Sequence, residues 1–152
     1  MRPKAILFDL DDTLISPYHH RTIFWHDAIT DVWREKEGLI DLEPKDIVDL
    51  VNKIDRSATE FWSIPDRHKS GRLDIRTARF TIIDNAIGSD ERYDRNTRWL
   101  IADRCGALMF EKTTIFPDAI STLKNLKMEG IKLALVTNGA SEAQRAKINK
   151  FD

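Results

Sequence analysis

Two short apolar runs frame a long stretch with helical periodicity. Residues 5–8 contain no polar residue, which is typical of a strand buried on both faces of a parallel sheet. Residues 131–136 are predicted to form a second strand of this kind. Between them, the apolar positions recur at the spacing of helices. The pattern predicts an α/β protein whose first two strands are adjacent, parallel and linked right-handedly, with a helical insertion between them.

The insertion is predicted to contain four amphipathic helices. In each of them, apolar side chains recur every three or four positions and therefore line one face. The four segments are residues 24–33, 44–62, 75–87 and 99–110. Gly38 is expected to end the first helix and Gly88 the third. Residues 63–71 have many turn formers and little periodicity, so they are predicted to be a loop.

The tryptophans of the insertion allow two interpretations. They lie at helical spacing, which favours a role in the core of a helical bundle. The alternative is that they line a substrate pocket. The four residues are Trp25, Trp33, Trp62 and Trp99.

The α/β pattern returns near residue 115. Asp118 is placed to cap a helix that Gly130 ends, and it is followed by the second strand. Ser141 and Glu142 then open a last helix. Lys147 and Lys150 fall on that helix and are expected to be solvated.

Composition excludes several classes of partner. The 152 residues are 41% hydrophobic and 32% charged, and the formal net charge is -1. Basic and acidic residues are interspersed, which gives no electrostatic case for binding nucleic acid or an anionic membrane. No apolar run is long enough for a signal peptide or a membrane span, so a cytoplasmic location is expected. Cys105 is the only cysteine and is expected to be a buried apolar residue.

Polar side chains follow both predicted strands. Asp9, Asp11 and Asp12 come after the first strand, and Thr137 and Asn138 after the second. In open parallel sheets, ligands bind beyond the carboxyl ends of the strands. Two converging carboxylates suit Mg2+, whereas a hydroxyl and free backbone N–H groups suit a phosphate. Ordinary turn chemistry is the alternative explanation for each motif taken alone.

The two motifs together resemble a known family. Asp9-Leu10-Asp11-Asp12-Thr13 resembles motif I of the haloacid dehalogenase (HAD) superfamily, and residues 133–139, with Thr-Asn-Gly at their end, resemble motif II. The helical insertion has the place and size of the family's cap domain. The resemblance therefore implies a HAD-like Rossmannoid parallel sheet, incomplete in this chain, from residues 1–16 and 113–152, with an all-α helical cap from 17–112.

The resemblance also implies roles for individual residues. Asp9 would be the nucleophile, and Asp11 the general acid and then the base. Mg2+ would bind the Asp9 carboxylate and the backbone carbonyl of Asp11. Thr137 and the backbone N–H of Asn138 would hold the phosphoryl oxygens of a small phosphorylated metabolite, while Thr13 orders the loop. Dehalogenases of the family lack the second acid, so Asp11 favours a phosphatase.

Two expected elements are missing from the sequence. Motif III of the family supplies a Lys and motif IV an acidic pair, and neither is found before residue 152. We expect that the natural chain is longer, or that a second copy or a complementing chain covers the sheet edges. The 152-residue chain alone is expected to be nearly inactive. The rival hypothesis is a non-catalytic fragment or pseudoenzyme whose helical cap serves binding or oligomerisation. A genuine stop after residue 152 would favour this rival. A continuation that contains motifs III and IV would favour the enzyme.

Overall fold

The chain divides into two compact units. A computed structural model describes residues 2–17, 21–35 and 43–151. One unit comprises Met1–His19 and Lys112–Asp152, and is called the sheet unit here; the other comprises His20–Glu111 and is called the helical unit. In the described residues no helix is long and apolar enough to cross a membrane.

The helical unit is built from five helices in its described part, where four were predicted. Their bounds are α1 (Arg21–Glu35), α2 (Pro44–Ser63), α3 (Pro65–Leu73), α4 (Ile75–Ile87) and α5 (Arg95–Lys112). The predicted helix end at Gly38 lies outside the described residues. Gly88 follows α4 as predicted, and its N–H donates to the Asp84 carbonyl.

The prediction of a loop at residues 63–71 was wrong. Ile64 has an extended backbone, and Pro65 opens α3 at the first helical position, where its missing N–H costs nothing. The hydroxyl of Ser70 donates back to the carbonyl of Asp66, one turn earlier. The segment was missed because its exposed face is polar, which leaves no helical period of apolar residues to detect.

Large aliphatic side chains fill the core of the helical unit. Ile29, Ile54, Ile83 and Ile101 are almost completely buried there. Trp25 is buried in the same cluster, and Trp33, Trp62 and Trp99 pack against it. All four tryptophans thus contribute to the core, which was the first of the two interpretations.

Cys105 belongs to this core as well. Its side chain has no solvent exposure. Burial raises the pKa of the thiol to about 12, because the charged thiolate is poorly solvated there. The thiol therefore stays protonated and acts as a small apolar residue.

The sheet unit contains two parallel strands. β1 (Ala5–Phe8) pairs with β2 (Lys132–Leu135), in the register Ala5 to Lys132 and Phe8 to Leu135. The helix α6 (Ala119–Met128) precedes β2 and packs against it, and α7 (Ser141–Asn149) follows it. Asp118 occupies the position before α6, but its side chain makes no capping hydrogen bond, so that detail of the prediction was wrong.

One face of this sheet is open to solvent. Side chains alternate along a strand, so Leu7, Ala134 and Val136 share a face, and all three are exposed. Leu7 is 68% exposed and Val136 55%. Burial of both faces was predicted for these strands and is not found, because within the described residues no element covers this face.

Candidate active site

The carboxyl ends of the two strands lie side by side. The backbone N–H of Val136 donates to the carbonyl of Phe8 at 2.8 Å, which extends the pairing one residue beyond β2. Asp9 therefore leaves β1 at the same edge of the sheet at which Thr137 leaves β2. This is the position at which parallel sheets bind ligands.

A tight turn follows Asp9 and is fixed by its own backbone. The carbonyl of Leu10 accepts from the N–H groups of Leu14 (2.9 Å) and Ile15 (3.2 Å), and the N–H of Asp12 donates to Ile15. Asp12 has a φ of 55°, in the left-handed region that Asp tolerates better than most residues. Leu10 and Ile15 are buried and anchor the turn, so the acids between them are held on an ordered backbone.

The carboxylate of Asp11 is held from the side of α7. The ammonium nitrogen Nζ of Lys147 lies 2.8 Å from both Oδ1 and Oδ2 of Asp11. The side-chain amide Nε2 of Gln144 donates to Oδ2 at 3.0 Å. The Asp11 and Lys147 side chains are 20% and 16% exposed, so this ion pair is partly shielded from water. Asp11 is thus held by two residues that lie 133 and 136 positions later in the sequence.

Gln144 also reaches the second motif. Its Nε2 donates to Oγ1 of Thr137 at 2.8 Å. The two motifs that the sequence suggested, one after each strand, are therefore connected through one side chain. Gln144 was not predicted to have any role in this site.

The prediction that Lys147 is solvated was wrong, whereas Lys150 is exposed as predicted and makes one backbone contact. Lys147 pairs with Asp11, and Lys150 Nζ donates to the carbonyl of Thr113 at 2.9 Å. Gln144 and Lys147 are three residues apart and therefore lie on one face of α7. The sequence contained a signal for this role, because Gln144 and Lys147 follow Thr137 closely and are spaced to share one helix face.

The remaining predicted site residues are accessible. Asp9 and Asn138 are exposed, and Thr137 is half-buried. In the parts of the chain that the structure describes, the Asp9 carboxylate and the Asn138 N–H have no hydrogen-bond partner. These groups are therefore available to a ligand at the strand ends.

The site offers oxygen atoms to a cation, but few of them. No cluster of three or more acids, histidines or cysteines that could hold a metal is found among residues 2–17, 21–35 and 43–151. The side chain of Asp11 is engaged by α7. The carboxylate of Asp9 and the backbone carbonyl of Asp11 supply oxygen atoms, which are the ligand atoms that Mg2+ prefers.

Comparison with known proteins agrees with this geometry. A family model described as haloacid dehalogenase-like hydrolase matches residues 3–152. The chain therefore belongs to the haloacid dehalogenase-like hydrolases, and its HAD-like α/β fold with an incomplete sheet is the fold that the sequence predicted. No curated protein matches the chain.

Solved structures share the fold. A predicted phosphoglycolate phosphatase from Haemophilus somnus 129PT is 21% identical, with a TM-score of 0.50, and the match covers 98% of this chain and 57% of that one. A 2-haloacid dehalogenase from Pseudomonas syringae pv. tomato DC3000 is also 21% identical, with a TM-score of 0.52 and coverages of 95% and 59%. The chain thus spans less than two thirds of the length of the structures it resembles.

Proposed function

We propose that this hydrolase is a Mg2+-dependent phosphatase that acts through an aspartyl-phosphate on a small phosphorylated metabolite. One observation carries the proposal: the acid loop after β1 and the Thr-Asn-Gly turn after β2 meet at one sheet edge and are joined through Gln144. A nucleophile and an anion-holding group are both needed for phosphoryl transfer, and this edge supplies both.

The chemistry follows from the positions of the acids. A carboxylate oxygen of Asp9 forms a bond to phosphorus while the bond from phosphorus to the alcohol oxygen breaks. The alcohol leaves with a proton from Asp11. Water then attacks phosphorus, gives its proton to Asp11, and releases phosphate and the free Asp9 carboxylate. The Thr137 hydroxyl and the Asn138 N–H bind the phosphoryl oxygens throughout.

The acid at position 11 favours phosphoryl transfer over dehalogenation. A halide leaves without a proton, so the first step of a dehalogenase does not need an acid there, whereas an alcohol leaving group does. The contact with Lys147 bears on this role. The Lys147 ammonium contacts both carboxylate oxygens of Asp11 at 2.8 Å, so this contact has to open before Asp11 exchanges a proton with a leaving alcohol.

The cation has a defined task in this proposal. Asp9, through its carboxylate, and Asp11, through its backbone carbonyl, would hold it. Bound there, Mg2+ offsets the repulsion between the anionic nucleophile and the phosphate. Further ligands, and a Lys in the role of motif III, would have to come from outside the 152 residues of this chain, since it covers 57% of the phosphatase structure that it resembles.

The two parts of the chain have different roles in this proposal. Residues 17–112 act as the helical cap of the enzyme, and residues 1–16 and 113–152 form the partial catalytic core. A second copy or a complementing chain would cover the exposed sheet edges and, with them, the open face. Sedimentation of the purified chain should show association that Leu7→Lys weakens, because Leu7 is the most exposed large apolar residue of the strands. A wild-type chain that stays monomeric at high concentration contradicts the second copy and leaves only the complementing chain.

Hydrolysis of an aryl phosphate with Mg2+ tests the function. We expect Asp9→Asn to abolish turnover in a form of the protein that carries the rest of the core, because an amide cannot form the acyl-phosphate. Asp11→Asn loses only proton transfer, which is typically worth about 100-fold to 10,000-fold.

A neighbouring acid serves as the control. Asp12 lies in the same turn, but the proposal gives it no chemical role, so Asp12→Asn should retain most of the turnover. Turnover at the wild-type rate in Asp9→Asn would remove the mechanism.

A further inference from the structure

The direction of the Gln144 amide is fixed by its neighbours. The residue is 5% exposed, and its Nε2 donates to Asp11 Oδ2 and to Thr137 Oγ1. A carboxylate oxygen only accepts hydrogen bonds. Turning the amide over would set its Oε1 against Oδ2 of Asp11 at about the same 3.0 Å, with no hydrogen between them. The amide N–H groups therefore face both partners.

The fixed amide determines which way the Thr137 hydroxyl donates. Since Oγ1 of Thr137 accepts from Gln144, its own hydrogen cannot lie on that line and is directed elsewhere. Without Gln144, the hydroxyl could equally donate to a neighbouring acceptor. The contact thus leaves the Thr137 hydroxyl hydrogen for another acceptor, and Asp9 and Asn138 are exposed at the same strand ends.

Lys147 keeps in place the Asp11 carboxylate, which accepts a hydrogen bond from Gln144. Its Nζ contacts both oxygens of Asp11, so the carboxylate cannot turn away from Gln144 without breaking two contacts. Gln144 and Lys147 are one turn apart on α7 and act on the same carboxylate. Helix α7 thus holds one side chain of each strand-end motif, Asp11 after β1 and Thr137 after β2.

Gln144 is poorly explained as a packing residue. Its Oε1 is buried and has no hydrogen-bond partner among the described residues. Leaving a buried carbonyl oxygen unpaired costs free energy, and an apolar side chain of similar size would avoid that cost. The amide is therefore accounted for by what its N–H groups do.

We propose that Gln144 is a positioning residue for phosphate binding, which directs the Thr137 hydroxyl hydrogen toward the phosphoryl oxygens while Lys147 holds Asp11 against it. This inference rests on the proposed function, because it assumes that the strand ends bind phosphate. It predicts that Gln144 influences phosphate only through Thr137.

The positioning role is tested by titrating the 152-residue chain with inorganic phosphate. Binding is monitored through the NMR chemical shift of the Asn138 backbone amide. The variants are Gln144→Met, Thr137→Val and the double variant, with Asn149→Met as a matched control at an exposed position of α7. Gln144→Met should weaken binding about 2-fold to 10-fold, the range of one hydrogen bond. The double variant should bind no more weakly than Thr137→Val alone, and Asn149→Met should bind like the wild type.

Hydrogen exchange gives a readout without ligand. The side-chain amide protons of Gln144 should exchange more slowly than those of exposed Asn149, because both partners hold them. Equal exchange rates would overturn the inference. So would wild-type phosphate affinity in Gln144→Met, or a double variant that shows the sum of the two single losses.

The proposed function fails in a different way. If the wild type shows no shift with phosphate, or if Thr137→Val binds phosphate as the wild type does, the strand ends are not a phosphate site. The positioning role of Gln144 is then excluded as well, and slow exchange of its amide protons would show that its contacts with Asp11 and Thr137 are only structural.

Discussion

The two units differ in where their apolar side chains lie. The helical unit buries a continuous cluster, in which Ala28, Ile54 and Ile83 have no exposed surface. The sheet unit leaves one face of its two strands open and buries few apolar residues, among them Leu10, Ile15 and Ala119. Its partly buried polar contacts include those that Gln144 and Lys147 make with Asp11. Packing of apolar side chains thus dominates the helical unit, whereas the sheet unit places its acids and its Thr-Asn-Gly turn at accessible strand ends.

Substitutions within one helix test the first half of this comparison. Ile54→Ala in α2 should lower the free energy of unfolding by about 2–5 kcal/mol, because it leaves a cavity in a fully buried position. Val48→Ala in the same helix should change it by less than about 0.5 kcal/mol, since Val48 is 52% exposed. Urea unfolding followed by circular dichroism measures both. Equal losses would mean that the surface around Val48 is buried in solution.

The ion pair of the sheet unit tests the second half. Lys147→Met should destabilise this unit by about 1–3 kcal/mol, because it leaves a partly buried carboxylate of Asp11 without its ammonium. The loss is best followed by amide hydrogen exchange in β1 and β2. Adding Asp11→Asn should recover part of the stability, and a double variant with fully additive losses would show that the two groups do not stabilise each other.

A surface ion pair of the helical unit should matter less and should depend on pH. Arg76 donates to Asp103 at 2.7 and 2.8 Å, and this hydrogen bonding lowers the pKa of Asp103 below its ordinary value of 3.8. A lowered folded-state pKa stabilises the fold above pH 3.8 and loses this contribution as the pH falls through the lowered value. Both side chains are well exposed, so the contribution is small.

Asp103→Asn should therefore lower the melting temperature by a few degrees at most at pH 6, and the gap should close below pH 3.8. Thermal unfolding at several pH values measures it. Arg76→Gln removes the same pair together with the contact of Arg76 with the Trp99 ring at 4.6 Å, so its gap at pH 6 should be at least as large. A gap that stays constant into strong acid would show that the ion pair is not its cause.

Local patterns in the sequence were sufficient for most elements of the fold. Apolar periodicity predicted α1, α2, α4 and α5, and the two apolar runs predicted β1 and β2 as a parallel pair. These signals are local, and the order of strand, helices and strand leaves few topologies. Helix α3 has no apolar period and was missed for that reason.

The site was predictable only in part. Asp9, Asp11 and Thr137 stand out because they follow apolar strands directly. Gln144 and Lys147 could not be joined to Asp11 from the sequence, since the contact depends on which face of α7 turns toward the strand ends. Exposure of Leu7 was missed because an apolar run indicates burial but does not supply the element that covers it.

The central claim is that the sheet unit forms a covalent phosphoryl intermediate on Asp9. The most direct measurement is to incubate a form of the protein that carries the rest of the core with an aryl phosphate and Mg2+, and to quench it with hydroxylamine, which converts an aspartyl-phosphate to a hydroxamate. Mass spectrometry of the peptides then locates the modified residue. We predict modification at Asp9 that is absent in Asp9→Asn. Phosphate release with no modified Asp9, or with a modified residue elsewhere, would contradict the account.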